Sequence, residues 1–320
     1  MRAFVHTTDF DWYEHLAGLP DLDEINFWLP RPWGGQFRVL NRGEPLLFKL
    51  KRPHRAIAGV GFFEHYSDLP LSLAWDTFEE KNGVRSLAEL RERIGRLRHK
   101  PVAPWVDDAI GCILLVEPVF WSENEWIPEP VDWKPNIVRG KQYDLTTGVG
   151  KELWDEVVLR LMARPRPVGP SGEPGVTGSG QTELPIRGGY GDPLSQRRRI
   201  GQGVFSSVIR DVYGRECAVT RERALPTLEA AHIRPFSNDP LHYVQNGILL
   251  RSDVHKLFDK GYITVTRDYH VEVSRRLRTD FDDGENYERM HGGLIQVPHR
   301  ADHRPSPEIL GWHNENKFRG

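Results

Sequence analysis

Two histidines and an asparagine lie on three short segments that follow one another closely in the C-terminal half of the chain. These segments are Leu228 to Phe236 (LEAAHIRPF), Asn246 to Leu250 (NGILL) and Asp253 to Gly261 (DVHKLFDKG). Metal-assisted cleavage of a phosphodiester needs a general base that activates water and a divalent cation that neutralises charge on the phosphate oxygens. A histidine suits the first role because its unperturbed pKa, about 6.5, lies close to neutral pH.

The order of the elements suggests a role for each residue. His232 stands at the end of a predicted strand and is the candidate base, while His255 on a predicted helix can bind a metal. Asn246, in the segment between them, can fix the loop geometry, orient the base or complete the metal shell. A single histidine among the 13 in this chain is more often a core or surface residue, so the prediction depends on the combined pattern.

The three segments together resemble the HNH nuclease motif. LEAAHIRPF, NGILL and H-x-L-F-D-x-G match its segments in type, order and spacing, in the subgroup whose first strand carries E-A-A-H-I. The resemblance implies a ββα-metal fold with His232 as general base, Asn246 as the central asparagine and His255 as a metal ligand. It also implies one divalent metal (Mg²⁺, Mn²⁺ or another transition metal) and hydrolysis that leaves a 5′-phosphate.

The sequence departs from the motif in two places. Many members carry Asp or His directly before the base, where this chain has Ala231, and we expect Glu229 and Asp259 to supply further metal ligands. Many relatives also hold a structural zinc with cysteine pairs, whereas Cys217 is the lone cysteine of its segment. Packing must then hold this domain together.

The elements around the motif can be read from the hydrophobic pattern. Gln196 to Val212 is predicted to be a basic amphipathic helix, with Ile200, Phe205, Val208 and Val212 as its apolar stripe. Strands are predicted around Cys217 to Val219 and at Leu228 to Ile233, then at Gln245 to Leu250. A helix from Ser252 to Asp259 and a hairpin from Tyr262 to Val273 follow.

Charge is distributed unevenly along the chain. The net charge is −2, but residues from Gln196 onward carry 20 basic and 17 acidic side chains, and those before it carry 23 and 28. We expect Arg197, Arg198 and Arg199 to contact the DNA backbone, because a basic patch is what phosphate contact requires. A solvated helix face would have a similar composition.

A Gly/Pro/Ser-rich stretch divides the chain into two predicted domains. Residues 164–195 lack a hydrophobic period and cannot bury enough apolar surface to offset the entropy of ordering them. We predict an N-terminal domain over residues 1–163, a flexible linker over 164–195 and the nuclease domain over 196–320. The linker would join two independently folded units.

The N-terminal domain is predicted to be a small mixed unit, so that the whole chain is α+β. Strands are expected at Pro45 to Leu50, Ala56 to Phe63 and Ile110 to Trp121, and helices at Ser86 to Arg98 and Lys151 to Met162. The segments NFWLP (Asn26 to Pro30), PLLFKLKRPHRAIAGVGFF and IGCILLVEPVFW resemble the PUA-like superfamily, with its EVE, YTH, ASCH and SRA members. The resemblance implies a mixed barrel with peripheral helices that holds a modified or flipped base in an aromatic cage.

Candidate residues for such a cage are Asn26 as edge reader, Trp28 as one wall, and Phe63 or Trp75 opposite. Lys51 and Arg52, in a basic cluster between two strands, are candidates for contact with the DNA backbone. The alternatives are that the aromatic residues fill a small core and that the basic cluster is a solvated loop.

Composition excludes several classes of protein. The apolar run around Cys112 to Val116 is far shorter than a membrane span, the N-terminus lacks a secretion signal, and two cysteines cannot build a disulfide framework. Together with these exclusions, the resemblances to the HNH and PUA-like families lead us to expect a cytoplasmic DNA endonuclease that acts on double-stranded DNA and restricts it at modified cytosine. The alternatives are an HNH nicking or structure-specific nuclease indifferent to modification, and a non-catalytic nucleic-acid binding protein. A homodimer is plausible because one site cuts one strand at a time.

Overall fold

The computed structural model describes residues 1–34, 37–163, 201–235, 244–281 and 284–320. The predicted linker, 164–195, and Arg197, Arg198 and Arg199 lie outside these ranges. The strands are β1 (Arg2–Thr8), β2 (Glu24–Leu29), β3 (Pro45–Leu50), β4 (Ala56–Pro70), β5 (Ala109–Phe120), β6 (Ile127–Pro128), β7 (Gly140–Asp144), β8 (Leu228–His232), β9 (Gly247–Arg251), β10 (Ile263–Val265) and β11 (Val271–Val273). The helices are α1 (Phe10–Ala17), α2 (Leu71–Phe78), α3 (Leu87–Arg98), α4 (Gly148–Met162), α5 (Gln202–Val212), α6 (Ser252–Asp259), α7 (Arg276–Phe281), α8 (Glu285–Glu288) and α9 (Pro307–Asn316).

A seven-stranded sheet forms the N-terminal domain. Its strand order is β2-β5-β4-β3-β1-β7, and β6 pairs with β4. The pair β1 and β3 is parallel and the other pairs are antiparallel, so the sheet is mixed as expected. The chain is thus α+β, and no helix of the described ranges is long and apolar enough to span a membrane.

The predicted barrel is corrected to an open sheet, because β2 and β7 are the two ends of the strand order. The short 3-10 segment Glu79–Asn82 packs against β2. It is anchored there by its asparagine, since the Asn26 Nδ2 atom donates to Asn82 Oδ1 at 2.9 Å.

Helices cover the sheet and fill separate parts of its core. Helix α1 places Trp12 against Phe27 and Phe48, and helices α2 and α3 bury Leu71, Phe78 and Ile94 against β5. The aromatic residues therefore fill much of the core, as the alternative interpretation held. Trp121, for example, is fully buried beside α4.

The C-terminal domain is built on two small hairpins. β8 pairs with β9, and α6 begins directly after β9, so the two strands and the helix follow one another in the predicted order. β10 and β11 form the second hairpin, and α9 packs on β10. The predicted strand around Cys217 to Val219 is instead a turn.

The thiol of Cys217 explains that turn. Its Sγ atom accepts hydrogen bonds from the backbone N–H groups of Thr220 at 3.3 Å and Arg251 at 3.2 Å. Cys217 is fully buried, so its sulfur satisfies two partly buried backbone donors. A single cysteine thus joins the turn to the start of α6.

Helix α5 packs against both domains. Val204 and Val208 lie in a core of the N-terminal domain, whereas Phe205, Ile209 and Tyr213 lie in the core of the C-terminal domain. The first helix after the predicted linker is therefore shared between the two domains, and residues 201–212 do not belong to one core alone.

Candidate active site

His232 is the last residue of β8 and pairs with Gly247 on β9. The strand forms here because Leu228, Ala230 and Ala231 are buried in the domain core. Gly247 has a steric role, because a Cβ atom there would stand 2.3 Å from Ile209 Cδ1. A glycine at this position therefore lets α5 pack closely against the hairpin.

The imidazole of His232 is stacked on a phenyl ring. The ring centroids of Phe205 and His232 are 3.8 Å apart, with an interplanar angle of 8°. Burial lowers the pKa of His232, the positive charge of His255 lowers it further, and the negative charge of Asp259 raises it. The two charged residues that affect this pKa both lie on α6. Because the pKa is lowered, the ring of His232 is neutral at neutral pH, as a general base must be.

The side chain of Asn246 is engaged by the backbone that follows β8. Its Oδ1 atom accepts from the Arg234 N–H at 2.8 Å, and its Nδ2 atom donates to the Arg234 carbonyl at 2.9 Å. The Ile233 N–H also donates to the Asn246 carbonyl at 2.9 Å. Of the three roles open to Asn246, this geometry favours fixing the loop that positions His232.

His255 lies on α6 between two carboxylates. Its Nδ1 atom is 2.7 Å from Glu229 Oε2 and its Nε2 atom is 3.3 Å from Asp259 Oδ2. An ionised carboxylate only accepts hydrogen bonds, so Nδ1 carries the proton that Glu229 receives. The Nε2 atom lies beside Asp259 Oδ2 and is the ring nitrogen available to a cation.

These residues fit a divalent cation as a two-residue site. Nε2 of His255 and Oδ2 of Asp259 are separated by a distance that two ligands of one ion can have, since each metal–ligand bond is about 2.0–2.2 Å. Glu229 lies at the other edge of the ring, and the described residues offer no group of three His, Cys, Asp or Glu side chains arranged around one point. The structure thus places Glu229 as the acceptor that orients His255, rather than beside Asp259.

The predicted base cage is not assembled. Asn26 is fully buried, and its amide also donates to Cys112 Sγ at 3.3 Å. Phe63 packs in the core beside α1 and Trp75 packs among α2 and α3. Of the four residues, Trp28 alone lines a cavity of about 950 Å³. Arg52 is exposed in the turn before β4, and Lys51 lies in the cavity wall with its Nζ atom 2.6 Å from Asp9 Oδ1.

That cavity has an aromatic wall and cationic side chains. Phe27, Trp28, Trp33 and Phe37 line it, together with further polar and charged residues that the sequence patterns did not single out. These include His6, Arg93, Arg96 and Arg139. No motif marks them, because they come from β1, α3 and the segment before β7, and only the fold brings them together.

His6 offers a hydrogen-bond acceptor in this wall. Its Nδ1 atom is 2.8 Å from the Thr7 carbonyl oxygen, which can only accept, so Nδ1 carries the proton. Burial, the largest cause, lowers the pKa of His6 to about 4. The ring is therefore neutral at pH 7 and its Nε2 atom carries a lone pair.

Two solved structures are similar to this chain at low sequence identity. The crystal structure of ASCH from Zymomonas mobilis is similar at 9% identity over 49% of this chain and 94% of its own, with a TM-score of 0.29. The modification-dependent TagI restriction endonuclease is similar at 12% identity over 98% of this chain and 81% of its own, with a TM-score of 0.30. No curated protein matches the chain.

The family model described as HNH endonuclease matches residues 217–266. That span contains the turn at Cys217, the β8–β9 hairpin and α6, and hence His232, Asn246 and His255. The resemblance to the HNH family found in the sequence is confirmed by this match over residues 217–266.

Proposed function

We propose that the protein is a metal-dependent DNA endonuclease in which His232 is the general base. The observation that carries this proposal is the site on β8 and α6. There the imidazole of His232 is neutral, and the charges of His255 and Asp259 affect its pKa. Glu229 fixes the orientation of His255. The match of residues 217–266 to the HNH endonuclease family supports it.

In this proposal His232 accepts a proton from water, whose oxygen then attacks the phosphorus. The bond from phosphorus to the 3′ oxygen breaks, and that oxygen takes a proton from solvent water, which leaves a 5′-phosphate and a 3′-hydroxyl. Asn246 keeps the loop after β8 in place, and His255 and Asp259 would hold the divalent cation. When bound, that cation supplies positive charge to the non-bridging and leaving oxygens.

Plasmid cleavage tests the assignment of the base. We expect the wild type to nick or linearise plasmid carrying modified cytosine in Mg²⁺ or Mn²⁺, and EDTA to stop the reaction. His232→Ala should lower the cleavage rate by at least about 10²-fold while DNA binding persists. The matched control is His299→Ala, an exposed histidine of the same domain, which should cleave like the wild type. Cleavage by His232→Ala at the wild-type rate would show that another group is the base.

We further propose that the N-terminal cavity receives a modified cytosine flipped out of the duplex. An extruded base stacks on aromatic side chains and is read by hydrogen bonds to its edge. Trp28 and Phe27 supply aromatic surface, and the lone pair of His6 Nε2 suits the exocyclic amino group of cytosine. Arg93, Arg96 and Arg139 supply positive charge for the backbone at the same wall.

Duplex binding tests the reader. Catalytically inactive His232→Ala protein should bind a duplex with one modified cytosine more tightly than the unmodified duplex. His6→Phe in that background keeps a flat ring but removes the acceptor, so the affinity for the modified duplex should fall by about 1–3 kcal/mol, the cost of leaving a buried amino group without a partner. The matched control is His99→Asn, at an exposed residue after α3. Equal affinity of the parent for both duplexes would favour a nuclease indifferent to modification.

A further inference from the structure

We propose that Phe205 is a positioning residue for His232, and that the N-terminal domain holds it in place by capping helix α5 with Glu24. The inference rests on the proposed role of His232 as general base. It adds that the nuclease site depends on a contact from the other domain, so that the two domains act as one docked unit.

The cap of α5 comes from β2. The Glu24 carboxylate accepts the backbone N–H groups of Gly203 at 2.8 Å and Val204 at 2.7 Å. These are donors of the first turn, which an N-cap side chain normally satisfies, but the N-cap residue here is Gly201. A carboxylate at this end of a helix is also favoured by the helix dipole.

Two glycines at the start of α5 leave room for the Glu24 carboxylate. A Cβ atom on Gly201 would stand 2.2 Å from Glu24 Cδ, and one on Gly203 would stand 2.9 Å from Glu24 Oε1. Glu24 is 1% exposed, and Lys81 Nζ lies 3.1 Å from its Oε1 atom. The buried charge is therefore matched by two N–H groups and an ammonium, as a buried carboxylate requires.

The far end of α5 is fixed to the same domain. Asp211 Oδ2 is 2.8 Å from His65 Nε2, and the Arg215 Nη2 atom donates to the Asp68 carbonyl at 2.7 Å. Between the two ends, Val204 and Val208 pack in the N-terminal core. The helix is thus held at its start, its middle and its end by the domain that does not carry the catalytic histidines.

The opposite side of α5 carries Phe205, one residue along from Val204. Its ring stacks on His232 with centroids 3.8 Å apart and is 2% exposed. Val204 and Phe205 are adjacent residues of one helix, about 100° apart around its axis. A shift of α5 that relaxed the Glu24 cap at Val204 would therefore also displace the phenyl ring. The plane and depth of the base are therefore set by a helix that the N-terminal domain positions.

Two variants of the full-length protein test this arrangement. Phe205→Leu removes the ring but keeps an apolar side chain, and Glu24→Gln keeps the shape of the cap but removes its charge. We expect kcat for duplex cleavage in Mn²⁺ to fall on the order of 10²-fold in Phe205→Leu and less far in Glu24→Gln, with KM unchanged. The control for lost packing is Leu310→Ala, which opens the same C-terminal core from α9.

Imidazole NMR of His232 gives a readout that lost stability alone does not move. A phenyl ring stacked on the imidazole shifts its carbon-bound protons upfield, and both variants should move them downfield, whereas Leu310→Ala should not. If Phe205→Leu matches Leu310→Ala in kcat, or if Glu24→Gln does so and leaves these resonances in place, the positioning role is wrong. Cleavage by His232→Ala would instead overturn the proposed function itself. Should Phe205→Leu not fold, Glu24→Gln decides by the same two readouts.

Discussion

The imidazole of His255 faces two carboxylates, and the chemistry of the site follows from what each can accept. Glu229 accepts the hydrogen bond from Nδ1–H, and in the proposed site Nε2 would hold the cation together with Asp259. A histidine that binds a metal with one nitrogen commonly donates its other N–H to a carboxylate, which fixes the ring and raises its basicity. The sequence pointed to all three residues, but the separate role of Glu229 depends on which ring nitrogen it meets, and only the fold determines that.

Metal titration tests these two carboxylates. Glu229→Gln should weaken Mn²⁺ binding about 10–100-fold, as loss of an orienting carboxylate does, and Asp259→Ala should weaken it further. Calorimetric titration of the full-length variants measures both. Asp268→Asn is the matched control, because it alters a comparable but more exposed pair, with Asp268 Oδ2 3.2 Å from His270 Nδ1. Wild-type affinity in Glu229→Gln contradicts the orienting role.

The pH dependence of cleavage follows from the lowered pKa of His232. The base works only when neutral, so the rate falls as the pH falls through this pKa, and burial places that fall below the usual value of 6.5. A single-turnover profile from pH 4.5 to 8 at saturating Mn²⁺ should show a plateau at neutral pH and an acid limb below pH 6.5. A limb centred at or above 6.5 is inconsistent with a buried base.

The sequence pattern correctly predicted the helices and strands that depend on residues close to one another in the chain. The helix from Ser252 to Asp259 forms as predicted, and the strand that carries His232 differs by one residue at its end. The single apolar stripe predicted for α5 is divided in the structure, because Phe205 packs in one domain and Val208 in the other. A helical hydrophobic period identifies the apolar residues of a helix, but it does not show whether they pack in one core or in two.

The turn at Cys217 shows why one strand prediction failed. The side chains of Cys217 to Val219 predict a strand. In the structure the Cys217 thiol instead accepts hydrogen bonds from the N–H groups of Thr220 and Arg251, and the segment forms a turn. Cys217→Ala should leave two buried donors unsatisfied and lower the free energy of unfolding by about 1–3 kcal/mol in urea titrations. EDTA should not change the melting temperature of the wild type. A large loss of stability in EDTA would instead point to a structural metal.

At the scale of the whole molecule, buried neutral histidines tie stability to pH. Burial lowers the pKa of both His6 and His313 to about 4, with His313 stacked on Phe258 in the C-terminal core. The unfolded chain protonates these rings below about pH 6.5 while the folded protein does not until about pH 4. Stability is therefore lost as the pH falls across that window.

Urea unfolding at pH 7 and pH 4.5 measures this loss. His313 is 2% exposed, and its shift corresponds to at most about 3 kcal/mol. We expect His313→Asn to be less stable than the wild type at pH 7 but to depend less on pH between 7 and 4.5. Equal pH dependence in the two proteins would assign the acid sensitivity to other groups.

The domains meet through α5, which changes the expected action of the enzyme. A flexible linker would allow cleavage over a wide range of distances from the modified base. Docking through Glu24 and Arg215 instead predicts a narrow range of distances between the reader cavity and the scissile phosphate. The Gly/Pro-rich composition of 164–195 gave no sign of this, because the contacts that dock α5 come from β2 and β4, more than 130 residues earlier in the chain.

The central claim is that His232 and His255 lie beside one cation. Paramagnetic Mn²⁺ broadens the NMR signals of nearby nuclei, so adding it to protein with labelled histidines measures that proximity directly. We predict that the imidazole signals of His232 and His255 broaden at substoichiometric Mn²⁺ while those of His270 and His299 stay sharp. A sharp His232 signal with Mn²⁺ bound at His255 would contradict the account.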